Sequence, residues 1–154
     1  MLLAWPALAA AADPTLCASS EEVYFSCQVA NGKVVSLCGG LSETDSAQSW
    51  LQYRFGQPQR IELAYPARRE GSLMQFTGES RWGAGVRLHT VEFKNHGARY
   101  LIENSYSSLT DESFLGVRVT PSHSQRAVDL HCRLNGSITD RFESLAGLLD
   151  PVRR

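Results

Sequence analysis

Four cysteines, four histidines and the pair Arg81-Trp82 are the side chains on which chemistry could rest in this chain of 154 residues. The cysteines are Cys17, Cys27, Cys38 and Cys132; the histidines are His89, His96, His123 and His131. Neither a Cys-x-x-Cys nor a close histidine pair stands among them, so their spacing designates no metal site. An even set of cysteines points instead to two disulfides, which persist in oxidising compartments. No Gly-x-Ser-x-Gly elbow offers a nucleophilic serine. Gly83-Ala84-Gly85 lacks the lysine and the helix of a phosphate loop and reads as flexible backbone. Asp111 and Glu112 lie in a polar loop without the spaced oxygen ligands of a calcium site. His89 is in phase with Val91 and Phe93 and reads as a half-buried core histidine, and His96 as a turn residue. The sequence thus designates no catalytic residue, no metal and no cofactor.

Binding has better candidates. Arg81 and Trp82 lie in Gly78-Glu79-Ser80-Arg81-Trp82-Gly83-Ala84-Gly85, a glycine-bounded stretch holding the residue types that dominate interface hot spots. Either they contact a partner from a loop, or Trp82 folds back and plugs one end of the fold. Trp50, Gln52 and Arg54 alternate with Leu51, Tyr53 and Phe55; they form either a partner-binding patch or a face covered by a terminal helix. The candidate contact residues are therefore Arg81, Trp82, Trp50 and Arg54, with a periplasmic or extracellular protein as the expected partner. With 15 Lys+Arg against 16 Asp+Glu, nothing marks a nucleic-acid surface. After the N-terminus no apolar run approaches the ~18–20 residues of a membrane span.

These side chains must be positioned by strands. The stretch Val23 to Cys38 reads VYFSCQV-ANGK-VVSLC, with Asn31-Gly32 as a hairpin turn between apolar runs. A two-residue turn sets Val29 against Val34, Cys27 against Ser36 and Phe25 against Cys38. Cys27 and Cys38 then share a face as a diagonal pair near the limit of disulfide reach, where a bulge or twist has to help. The expected pairing is Cys27–Cys38 with Cys17–Cys132. Further strands are expected from Trp50 to Phe55, Arg60 to Tyr65, Leu73 to Thr77, Leu115 to Thr120 and Val128 to Arg133. Val86 to Lys94 and Ala98 to Tyr106 form a second hairpin. A His96-Gly97 turn there pairs Phe93 with Tyr100 and Val91 with Ile102; a three-residue loop would pair Val91 with Leu101, with poorer apolar phasing. Phe142, Leu145, Leu148 and Leu149 share a face in a short C-terminal helix ended by Pro151. The fold class expected is mainly β: an antiparallel β-sandwich or open barrel of about eight strands with that helix.

Residues 1–12, MLLAWPALAAAA, are apolar, uncharged and end in an A-x-A-like pattern before Asp13. They read as a signal peptide without the usual basic n-region, the alternative being a buried N-terminal helix. Residues 13–154 then form a single β-rich domain of the periplasm or the extracellular space.

Phe25-Ser26-Cys27 with Cys38, then WLQYRFG from Trp50, RIELAYP from Arg60, VEFKNHGARYLIEN from Val91 and the late Cys132 are similar to a set of small exported bacterial proteins. The resemblance covers Cys17 to Asp150 and implies export and a shared β-rich fold, but no activity. Small periplasmic lysozyme inhibitors are a looser likeness, and their Ser-Gly-x-x-Tyr loop motif is missing here. The function expected is a noncatalytic, disulfide-stabilised binding protein, inhibition of a cell-wall hydrolase being one such role. The competing expectation is a small periplasmic hydrolase with a dispersed active site. A deep pocket holding a histidine within hydrogen-bond range of a carboxylate marks the hydrolase; a protruding Trp/Arg segment without one marks the binder.

Overall fold

The computed structural model describes residues 13–152, so the expected signal peptide lies outside the described residues. Alternating strands must bury one face each, and here they do so in two antiparallel sheets of five. The first sheet has the order β10-β1-β2-β3-β4, from β1 (Glu22–Gln28), β2 (Val34–Gly40), β3 (Trp50–Gln57), β4 (Arg60–Tyr65) and β10 (Thr139–Asp140). The second runs β5-β6-β7-β8-β9, from β5 (Thr77–Gly83), β6 (Val86–Asn95), β7 (Ala98–Ser107), β8 (Glu112–Thr120) and β9 (Val128–His131). The protein is a β-sandwich. Phe25, Val35, Leu37, Leu51 and Tyr53 of the first sheet meet Val91, Phe93, Ile102 and Val117 of the second in one buried core. At its margin the Phe93 ring stacks on two half-buried tyrosines, Tyr65 at 4.8 Å and Tyr100 at 4.7 Å.

The second hairpin has the expected register, Val91 opposite Ile102 and Phe93 opposite Tyr100. Its turn residues His96 and Gly97 take φ of 49° and 79°, the left-handed pair that a two-residue turn requires. The first hairpin differs. Asn31 and Gly32 do take positive φ, but within a longer connection in which the Val29 N–H donates to the Lys33 carbonyl at 2.9 Å. The register is therefore Gln28 opposite Val34, Cys27 opposite Val35 and Phe25 opposite Leu37. A slip of one residue moves every side chain of β2 to the other face. Cys38 goes outward with Ser36, while Cys27 stays in the core with Phe25.

The expected disulfide pairing is consequently wrong. Cys17 bonds Cys38 and Cys27 bonds Cys132, with Cα separations of 5.4 and 5.6 Å. The second bond joins the two sheets, beside a bridge between Val29 and Cys132. Two further expectations are corrected. Residues Ser72–Gln75 are a 3-10 turn rather than a strand, and the stretch read as a loop is the strand β5, paired residue by residue with β6. The terminal helix is only a 3-10 turn, Phe142–Leu145, followed by irregular chain. Phe142, Leu145 and Leu149 nevertheless reach the core, whereas Leu148, expected on the same face, is 39% exposed. No helix among the described residues is long and apolar enough to cross a membrane.

Candidate binding cleft

The inward face of β6 carries Phe93, Val91, His89 and Arg87 in order toward one end. Each has cross-strand neighbours at the same level. Val91 lies between Gly78 and Ile102, His89 between Ser80 and Asn104, and Arg87 between Trp82 and Tyr106. The first of these rows is core. The next two turn polar and then aromatic and charged, although they still face inward. Phe142 marks the boundary: its ring lies parallel to the His89 imidazole with centroids 6.4 Å apart. Beyond it the sandwich opens into a cleft of about 340 Å³. Trp82, Arg87, His89 and Asn104 line the side formed by the second sheet; Asp140, at the edge of the first sheet, and the following Arg141 to Ser144 line the other.

Hydrogen bonds fix this arrangement. Ser80 Oγ and His89 Nδ1 are 2.5 Å apart, and His89 is only 6% exposed. Asn104 Nδ2 donates to Asp140 Oδ2, joining the two sheets across the cleft, and the Phe142 N–H donates to Asp140 Oδ1 at 3.2 Å. Arg141 is held from outside by Glu22 at 2.6 Å. Trp82, by contrast, is 80% exposed. Ser80 and His89 are a nucleophile and a base in contact, but a triad needs a carboxylate on the imidazole as well. Among the described residues the hydrogen bond of His89 is to Ser80, with no carboxylate on the ring. The cleft presents donors, acceptors and one large free ring, which are the parts of a binding site.

The sequence candidates separate. Trp82 does not plug the fold. It stands at the cleft rim near the end of a strand, while Arg81, one residue before, is on the opposite face and pairs with Glu79 at 2.5 Å. Trp50 and Arg54 form no open patch. The N-terminal segment covers this outer face of the first sheet, where the sequence suggested a C-terminal helix. The Leu16 N–H donates to Ser36 Oγ at 2.9 Å, Ser26 Oγ donates to the Pro14 carbonyl at 2.8 Å, and Cys17–Cys38 fastens the segment down. Arg54, 9% exposed, donates to the Leu16 carbonyl and, through both terminal nitrogens, to Glu21. The Arg69 guanidinium lies 3.9 Å over the Trp50 ring and also bonds Glu21. Burial alone would raise the Glu21 pKa, but hydrogen bonds from Arg54 and the Ala18 N–H, with the charges of Arg54 and Arg69, hold it below the ordinary carboxylate value. Glu21 also lies within 4.8 Å of the Cys17 and Cys38 sulfurs, but the disulfide commits both of them.

Arg87, Asn104, Asp140 and Glu143 had no individual signal in the sequence. The pattern that could have found part of the cleft is the phase of β6, where Arg87 and His89 continue the inward alternation of Val91 and Phe93. A larger groove of about 670 Å³ runs between the outer edge of β5 and residues 145–152. The C-terminal chain already pairs with that edge, the Gly78 N–H donating to the Leu149 carbonyl at 2.8 Å. Comparison with protein-family models, curated proteins and solved structures gives no match to this chain.

Proposed function

We propose that this chain is an exported, disulfide-stabilised binding protein that acts without catalysis, through the cleft at Trp82. The observation that carries the reading is the Trp82 ring, left in solvent on an inward-facing row beside fixed polar groups. Folding a large aromatic side chain into the core would contribute roughly 1.5–3 kcal/mol, so its exposure forgoes stability that the fold could have had. Two disulfides support an oxidising compartment, the periplasm or the cell exterior. Among the described residues no carboxylate bonds His89, the contact that the hydrolase reading needs. No feature of the cleft selects a cell-wall hydrolase as the partner, and inhibition is not part of the proposal.

Immobilised protein exposed to a bacterial envelope extract tests the reading, with Trp82→Ala and Ser80→Ala run beside the wild type. A binding cleft predicts the same retained material on wild type and Ser80→Ala, and its loss on Trp82→Ala. Retention unaffected by Trp82→Ala, or conversion of the retained material by wild type but not by Ser80→Ala, would overturn it.

A further inference from the structure

We infer that the ligand of this cleft is a neutral saccharide, a proposal that rests on the binding reading and gives it a ligand class. A pyranose ring has one face of C–H groups and a rim of hydroxyls. The face packs on a flat, exposed indole, and adjacent hydroxyls bridge the two polar atoms of a planar amide, carboxylate or guanidinium. Those are the two components here. Trp82 offers an open ring at 80% exposure, and Arg87, Asn104, Asp140 and Glu143 present planar polar groups around the same cleft. Asn104 and Asp140 are oriented by their mutual hydrogen bond, which leaves their remaining donor and acceptor capacity directed by the fold rather than free to rotate.

Charge distinguishes this ligand from an anion. Arg87 and Arg141 are matched in number by Asp140 and Glu143 among the lining residues, and Arg141 is further paired with Glu22, so the cleft holds no excess of positive charge for a phosphate or a carboxylate. Size agrees. At about 340 Å³, open on one side, the cleft is at the small end of the roughly 300–1,000 Å³ typical of ligand pockets and suits a short stretch of a sugar chain.

The test uses the disulfide-bonded protein and three probes, cellotriose, maltotriose and triacetylchitotriose, followed by amide and indole NMR shifts. Inorganic phosphate and an acetylated Ala-Glu dipeptide serve as charged probes. At least one trisaccharide should saturate the shifts of the Trp82 indole and the Asn104 side-chain amide. Affinity should fall at least about tenfold in Trp82→Ala and be largely retained in Trp82→Tyr, where a ring is kept. Absence of saturable shifts with all three sugars overturns the proposal, as does equal affinity in Trp82→Ala. Should phosphate or the dipeptide saturate those signals instead, the saccharide class is wrong while the cleft remains a binding site.

Discussion

Cys27 in β1 and Cys132 just beyond β9 are bonded with their Cα atoms 5.6 Å apart, so one covalent link ties the two sheets together across 105 residues of chain. The Cys17–Cys38 bond closes only 21 residues and holds the N-terminal segment to the outer face of the first sheet. Loop entropy assigns about 4–5 kcal/mol to the long closure and about 3 kcal/mol to the short one. Replacing Cys27 and Cys132 together with serine should therefore lower the denaturation midpoint more than replacing Cys17 and Cys38. Peptide mapping without reductant should return Cys17–Cys38 and Cys27–Cys132. A Cys27–Cys38 peptide would contradict the register of the first hairpin itself.

The second hairpin has a different test. Ile102 is fully buried opposite Val91 and Val117, whereas Glu103, one residue on, points the other way. Ile102→Ala should cost about 2–5 kcal/mol through lost contacts and the cavity left behind. Glu103→Ala should cost less than about 1 kcal/mol, since its partners Ser105 and Arg118 remain partly solvated. Urea melts of the two variants decide it; equal losses would mean that the buried face is misassigned.

Glu21 should make the N-terminal segment sensitive to acid. Its folded pKa lies below the unfolded value because Arg54, the Ala18 N–H and Arg69 favour the charged form more than burial disfavours it. A depressed folded pKa contributes stability that is present above the unfolded pKa and lost as pH falls through the folded one. Between pH 6 and pH 3 the wild type should therefore lose more melting temperature than Glu21→Gln, which cannot ionise. Parallel loss in both proteins would show that the Glu21–Arg54–Arg69 cluster does not couple protons to folding.

Particular residues show how much of this was legible from sequence. Period-2 alternation in Leu51-Gln52-Tyr53 and in Val91-Glu92-Phe93 marks strands with one apolar face, and those strands formed. His96-Gly97 sets a register because a two-residue turn leaves the flanking apolar residues in phase. Asn31-Gly32 misleads, because the same positive-φ dipeptide also fits a longer connection. Both faces of β2 are apolar or small enough to be buried, with Val34, Val35, Ser36 and Leu37 all covered, so polarity cannot choose between registers one residue apart. β5 was hidden because Thr77 to Gly83 forms an edge strand with little apolar alternation; its pairing to β6 comes from tertiary context. The cleft was only half visible. Trp82 stands out by residue type, but Asn104 and Asp140 meet it through an arrangement of four strands, β5, β6, β7 and β10, in two sheets.

The measurement that bears most directly on the central claim is a pair of thermal melts, wild type and Trp82→Ala, each with and without the material retained in the capture experiment. An exposed rim residue predicts nearly equal midpoints without ligand. At a hundredfold excess of ligand over its dissociation constant, the wild type should gain about 2.7 kcal/mol and Trp82→Ala much less. A variant that melts early on its own, or one that gains as much from the ligand as the wild type does, would contradict the assignment of Trp82 to a binding cleft.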